Sequence, residues 1–212
     1  QIPILVDLKR FDVSPDKDAR SDARVITYIG ALGRNKDGLD ILLESVSIVR
    51  RTSDNIKLII ACNGPEDELR KLREMIYKAG LTDSVSILVG LDSREITVLL
   101  KKSDLLVLAR PDNNQAKAGF PTKLGEYLAS KRPVVITKTG EIPKYLEDRK
   151  SAYLAEPGDV NDFARKLLFA LNDPDSDKIG MEGFHIAERY FDYRIYGKEL
   201  IEICIKVSAK AN

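Results

Sequence analysis

The chain has 212 residues, room for one large α/β domain or two small ones, with a single compact lobe as the default expectation. Its 34 Lys and Arg stand against 33 Asp and Glu, a formal +1, which leaves no basic excess to neutralise a nucleic-acid backbone or hold an anionic membrane surface. With 43% hydrophobic and 32% charged residues it can fill a core and still cover itself with charge, which excludes global disorder. Cys62 and Cys204 sit far apart in apolar runs, offer neither a disulfide framework nor metal-ligand spacing, and fit a reducing, cytoplasmic compartment. No apolar stretch approaches the roughly 20 residues that span a bilayer, and the start QIPILVDLKRFD lacks the layout of a signal peptide. Opening on Gln1 rather than Met, the chain reads as a piece of something longer or as a processed terminus.

In chain order, residues 1–23 read as linker or edge extension, because 13–23 (VSPDKDARSDA) is polar and turn-rich. Short apolar, β-branched runs then recur at 24–29 (RVITYI), 57–61 (KLIIA), 85–89 (VSILV), 105–109 (LLVLA), 134–137 (VVIT) and, more weakly, 152–155 (AYLA), and predict buried strands. Helical spacing separates them: Leu39, Leu42, Leu43, Val46 and Val49; Leu69, Leu72, Met75 and Ile76; Ile96, Leu99 and Leu100; Leu124, Tyr127 and Leu128. This alternation predicts an α/β fold, a Rossmann-like parallel sheet of about six strands with helices on both faces. A helical tail follows at 160–171, about 179–190 and 193 to about 207. The last helix carries Leu200, Ile201, Ile203, Cys204 and Val207 as an apolar stripe that either caps this sheet or packs on a missing neighbour.

In an open parallel sheet the ligand sits beyond the carboxyl ends of the strands, so the βα loops are the places to search. The first, 30–38 (GALGRNKDG), holds Gly30 and Gly33 for a tight turn and Arg34 and Lys36 as cations beside a helix start, which suits a phosphate. It is neither a Walker loop nor G-x-G-x-x-G, and solvated turn charges are the competing reading. Asn63 and Gly64 open a second turn that either contacts ligand or merely connects. A long polar loop, 110–121, ends at Thr122 as an expected N-cap, and a helix follows over 124–130. Glu126 lies one turn inside it, where a carboxylate accepts two hydroxyls of a ribose or sugar, or serves only as a first-turn acid that favours the helix dipole. Residues 139–143 (TGEIP) form a further Gly-bearing loop. The lone histidine, His185, falls on a late helical segment far from these loops and builds no triad or zinc site.

The order of these residues resembles the nucleotide-binding C-terminal lobe of GT-B glycosyltransferases of the group 1, or family 4, type, over nearly the whole chain. ILVDLKRF is similar to the phrase entering that lobe, YIGALGRNKDGLDILLESV to its first strand, loop, Lys and helix, and KLIIACNGPEDELRKL to its second strand and turn. Most specific is AGFPTKLGEYLASKRPVVITKTGEIPKYLEDRKSAYLAEPGDVNDFARKL, which is similar to the family's E-x7-E helix and the loops after it. The resemblance implies a lobe over 24–190 and a helix over 191–212 packing toward an N-terminal lobe that carries the acceptor site. It further implies a nucleoside-diphosphate sugar as substrate, no cofactor or metal, no nucleic-acid partner, and any membrane contact only through the other lobe. By position it makes Lys36, supported by Arg34, the catalytic group on the diphosphate. Glu126 becomes the ribose ligand, with Gly30, Gly33, Asn63, Gly64, Thr122, Lys123 and Leu124 around the nucleotide. Ala118, Gly119 and Phe120 form the donor-sugar loop, where Ala118 replaces the first Glu of the motif, and Ala31 replaces a loop Arg. Retaining sugar transfer in bacterial polysaccharide or glycoconjugate assembly is the implied activity. A sugar-nucleotide epimerase and a non-catalytic partner subunit are the alternatives.

Overall fold

The structure, a computed structural model, describes residues 3–13, 23–32, 37–53 and 55–211, apart from the side chains of 198, 199 and 209–211. Strands β1 (Arg24–Ala31), β2 (Ile56–Asn63), β3 (Val85–Val89), β4 (Leu105–Leu108), β5 (Val134–Thr137) and β6 (Tyr153–Ala155) form one parallel sheet in the order β3-β2-β1-β4-β5-β6. Every residue of β4, β5 and β6 is buried, which is why those strands read as unbroken apolar runs instead of alternating ones.

Helices α1 (Leu39–Arg50), α2 (Glu66–Lys78) and α3 (Ser93–Lys102) are the first crossovers, followed by α4 (Asn114–Ala118), α5 (Lys123–Ala129) and α6 (Ile142–Tyr145). The tail is α7 (Val160–Asn172), α8 (Ser176–Tyr190) and α9 (Tyr193–Ala211). α1 packs on α2 and α7, whereas α5 packs on α8, so the sheet is covered on both faces as expected. Local chemistry fixes several starts: Asp92 caps α3 by accepting from the amides of Arg94 and Glu95, and Glu95 returns a bond to the Asp92 amide. One difference from the expected layout is α4, a short helix within what reads as a polar loop. It forms because Asn113 Oδ1 accepts from the Ala116 amide, 2.7 Å away.

The first described residues are anchored. Val6 donates to the Phe191 carbonyl (2.8 Å) and accepts from the Tyr193 amide (3.2 Å), and Leu8 and Phe11, in a 3-10 turn over Leu8–Phe11, are buried. α9 is different: Ile195, Ile201, Ile203, Ile205 and Val207 are all exposed.

Candidate functional site

The strand order reverses between β1 and β4: from β1 the chain passes through α1 to β2 on one side, and from β4 through α4 and α5 to β5 on the other, so the crevice of an open sheet belongs there. The pairing of these strands covers only Ile26 with Leu105 and Thr27 with Leu106. Beyond it Tyr127, fully buried on α5, inserts its hydroxyl between them, accepting from the Ile29 amide (2.8 Å) and donating to the Val107 carbonyl (3.3 Å). The splayed backbone groups are thereby satisfied, and burial holds the phenol well above its ordinary pKa.

A crevice of about 350 Å3 opens at this point. Gly30 and Ala31 from the end of β1, Asn63 from the end of β2, and Lys123 and Glu126 from α5 line it, together with Arg10 from the 3-10 turn and Ser93 and Ile96 from α3. Asn63 also accepts from the Gly90 amide (3.0 Å), which ties the loops after β2 and β3 together. Cys62 lies on the wall, and burial raises its thiol pKa above the ordinary value. On the opposite wall, Arg10 Nη1 donates to Glu126 Oε1 at 3.1 Å. Among the described residues, Glu126 Oε2 has no partner.

Lys123 joins the crevice to a buried charged cluster whose Tyr28 and Asp37 line a neighbouring pocket. Asp37 Oδ2 accepts from the Tyr28 hydroxyl (2.9 Å) and from Lys123 Nζ (2.5 Å), and the ammonium lies 4.8 Å from the centre of the Tyr28 ring. Desolvation, reinforced by Asp37, raises the Tyr28 pKa far above its ordinary value. Arg110, also buried, donates from Nη2 to the Ala116 carbonyl (2.9 Å), while its Nε has no partner among the described residues. Burial lowers the pKa of this guanidinium, and Asp37 opposes that shift.

The structure thus brings four of the expected residues to one crevice: Gly30, Asn63, Lys123 and Glu126. Gly33, Arg34 and Lys36 lie outside the described residues. Thr122 corrects the expectation of a capping side chain: its backbone is already helical (φ −59°, ψ −35°) and among the described residues its hydroxyl makes no cap bond. Leu124 is wholly buried in the core, and Gly64 packs against Leu32, where an added Cβ would come within 2.8 Å of that residue's Cβ. Ala118, Gly119 and Phe120 do not line this crevice. Phe120 instead joins an aromatic cluster, 5.5 Å from the Tyr145 ring and 5.6 Å from Phe191. The Lys123 ammonium is held in the buried pair with Asp37. Arg10, Tyr28 and Asp37 are not among the expected residues: Arg10 lies in the supposed linker, whose spaced Val6, Leu8 and Phe11 signal its anchoring, Tyr28 lies inside strand β1, and Asp37 lies within the searched loop 30–38.

The fold is a doubly wound α/β lobe with a crevice at its switch point, and comparison with known proteins gives its family. The family described as glycosyl transferases group 1 matches residues 23–173, and the chain belongs to it. A D-inositol 3-phosphate glycosyltransferase from Corynebacterium urealyticum is 26% identical over 187 residues, which cover 85% of this chain and 42% of that protein. The chain therefore spans less than half the length of this curated relative. Among solved structures, HepE of Anabaena, determined with UDP and glucose, superposes with a TM-score of 0.81 at 19% identity, covering 95% of this chain and 55% of that one. The C-terminal domain of a group 1 family glycosyl transferase, LpcC of Francisella tularensis, superposes at 0.70 with 23% identity, covering 88% of this chain and 98% of that domain. These likenesses confirm the expected GT-B lobe. Among the described residues, no helix is long and apolar enough to cross a membrane.

Proposed function

We propose that this chain is the donor-binding half of a retaining glycosyltransferase that takes a sugar from a nucleoside diphosphate, acting in the cytoplasm on bacterial surface polysaccharide or glycoconjugate assembly. The observation that carries the proposal is the crevice at the β1/β4 switch point, where Glu126 offers an open carboxylate oxygen. Membership of the group 1 glycosyltransferases and the likeness to HepE, a protein determined with UDP and glucose, support it.

On this reading the Glu126 carboxylate accepts the ribose hydroxyls and the diphosphate lies toward Gly30. Leaving-group charge builds on the phosphates as the sugar departs, and the cations Lys36 and Arg34 offset it without a cofactor. The acceptor site belongs to a second lobe. The exposed apolar side chains of α9, with Ile201 at 62% and Ile205 at 63% exposure, suit a helix that packs toward that lobe.

Calorimetric titration of the chain with UDP, GDP and ADP, and with their hexose conjugates, tests the proposal. Binding of one base family is the expected result, with no sugar transfer by this chain alone. Binding of none by the folded chain would overturn it in favour of a non-catalytic partner subunit, and transfer by the chain alone would refute the division of labour.

A further inference from the structure

We propose that Arg10 is a positioning residue for Glu126: it holds the carboxylate in the orientation that receives a vicinal diol. The inference rests on the ribose reading of Glu126 given above.

Arg10 reaches two elements at once. Nη1 bonds Glu126 Oε1 on α5 at 3.1 Å, while Nη2 lies 3.3 Å from the Ser93 carbonyl and 3.5 Å from Thr97 Oγ1 on α3. Both charged side chains line the crevice and are about one-third exposed, at 34% and 28%. An ion pair this wet adds little to folding. The chain segment that carries Arg10 is anchored without it, by the Val6 bonds to Phe191 and Tyr193 and by burial of Leu8 and Phe11. What the pair does achieve is order at one carboxylate. A solvated Glu side chain samples several rotamers, and a ligand that needs one of them bears that entropy on binding. Because the contact uses a single oxygen, it fixes the carboxylate and leaves Oε2 open to hydroxyl donors. The guanidinium also offsets the repulsion between this carboxylate and the phosphates of a bound nucleotide. The opposite role, a plug that a ligand must displace, would leave Oε2 unused and make removal of Arg10 favourable.

The test is calorimetric titration of the chain with UDP and with 2′,3′-dideoxy-UDP, with the ADP and GDP pairs in parallel. Wild type should prefer the diol-bearing nucleotide, and E126A should abolish that preference. R10Q should cut the preference by about threefold to tenfold, leave the dideoxy affinity nearly unchanged, and melt at the wild-type temperature. R10K should recover part of the loss. Equal weakening of both nucleotides by R10Q, or tighter binding of the diol form, would overturn the positioning role. If E126A abolishes the preference while R10Q retains it in full, the inference fails and the ribose reading stands. If wild type shows no preference with any base, or E126A keeps it, both fall together.

Discussion

Lys123 Nζ lies 2.5 Å from Asp37 Oδ2, with the two side chains only 13% and 6% exposed. Lys123 lines the crevice while Asp37 lines the neighbouring pocket, and Asp37 also faces the Tyr28 hydroxyl and the buried Arg110. Removing the carboxylate takes the nearby negative charge from two buried cations, whereas removing both charges takes it from one. D37N is therefore expected to cost about 3–5 kcal/mol of stability, and D37N/K123M distinctly less than the sum of its single changes. Urea unfolding of the three variants checks this, and additive losses would show that the two side chains act independently.

Gly38 closes the first βα loop with φ +58°, and a Cβ there would lie 1.9 Å from the Ala109 carbonyl oxygen. The nearest atoms belong to the Ala109 backbone, which has no flexible end to give way. Gly80 has a similar φ of +69° but open space around it. The left-handed backbone alone costs an alanine about 1–2 kcal/mol, and forced overpacking adds about 1–3. G80A should therefore lose about 1 kcal/mol and G38A about 2–5 in chemical denaturation. Equal losses would mean that the loop relaxes around the added methyl group.

The legible parts of the fold are those whose burial is local. Strand 134–137 falls on the residues its apolar run marks, because a strand covered on both faces has no polar side to blur it; strand 85–89 also falls on its run, although at the sheet edge none of its residues is buried. α4 was hidden because NNQAK carries no apolar period and buries only Ala116. Glu126 could be singled out as a first-turn acid, but its partner Arg10 lies 116 residues away and leaves no local trace. Phe120 packs in an aromatic cluster whose other members, Tyr145 and Phe191, come from distant segments and leave no local trace.

Glu126 carries the nucleotide reading, and its truncation has a defined size. Two hydroxyl-to-carboxylate hydrogen bonds lost from a partly exposed site amount to about 1–3 kcal/mol. E126A should weaken UDP binding by that amount in a calorimetric titration, with stability almost unaltered because the carboxylate is open to water. Unchanged affinity would leave Glu126 as an acid that favours the start of α5 and nothing more.

Asp192 links acid stability to the anchored N-terminal segment. It is buried beside the Val6 bonds and accepts from Arg194 through Nε (2.9 Å), Nη2 (2.5 Å) and the backbone amide (3.0 Å). The Arg194 side-chain hydrogen bonds hold its pKa below the ordinary carboxylate value, against a smaller opposing effect of burial. A depressed folded pKa means that the unfolded chain takes up the proton first as pH falls. Its contribution is therefore complete above about pH 4, the unfolded value, and disappears as pH drops through the folded one. D192N should be less stable than wild type at pH 7, with the gap closing below about pH 4 as the wild-type carboxyl is protonated. Denaturant melts from pH 7 down to pH 2.5 measure this. A gap that stays constant across the range would assign Asp192 a role in backbone geometry alone, independent of its charge.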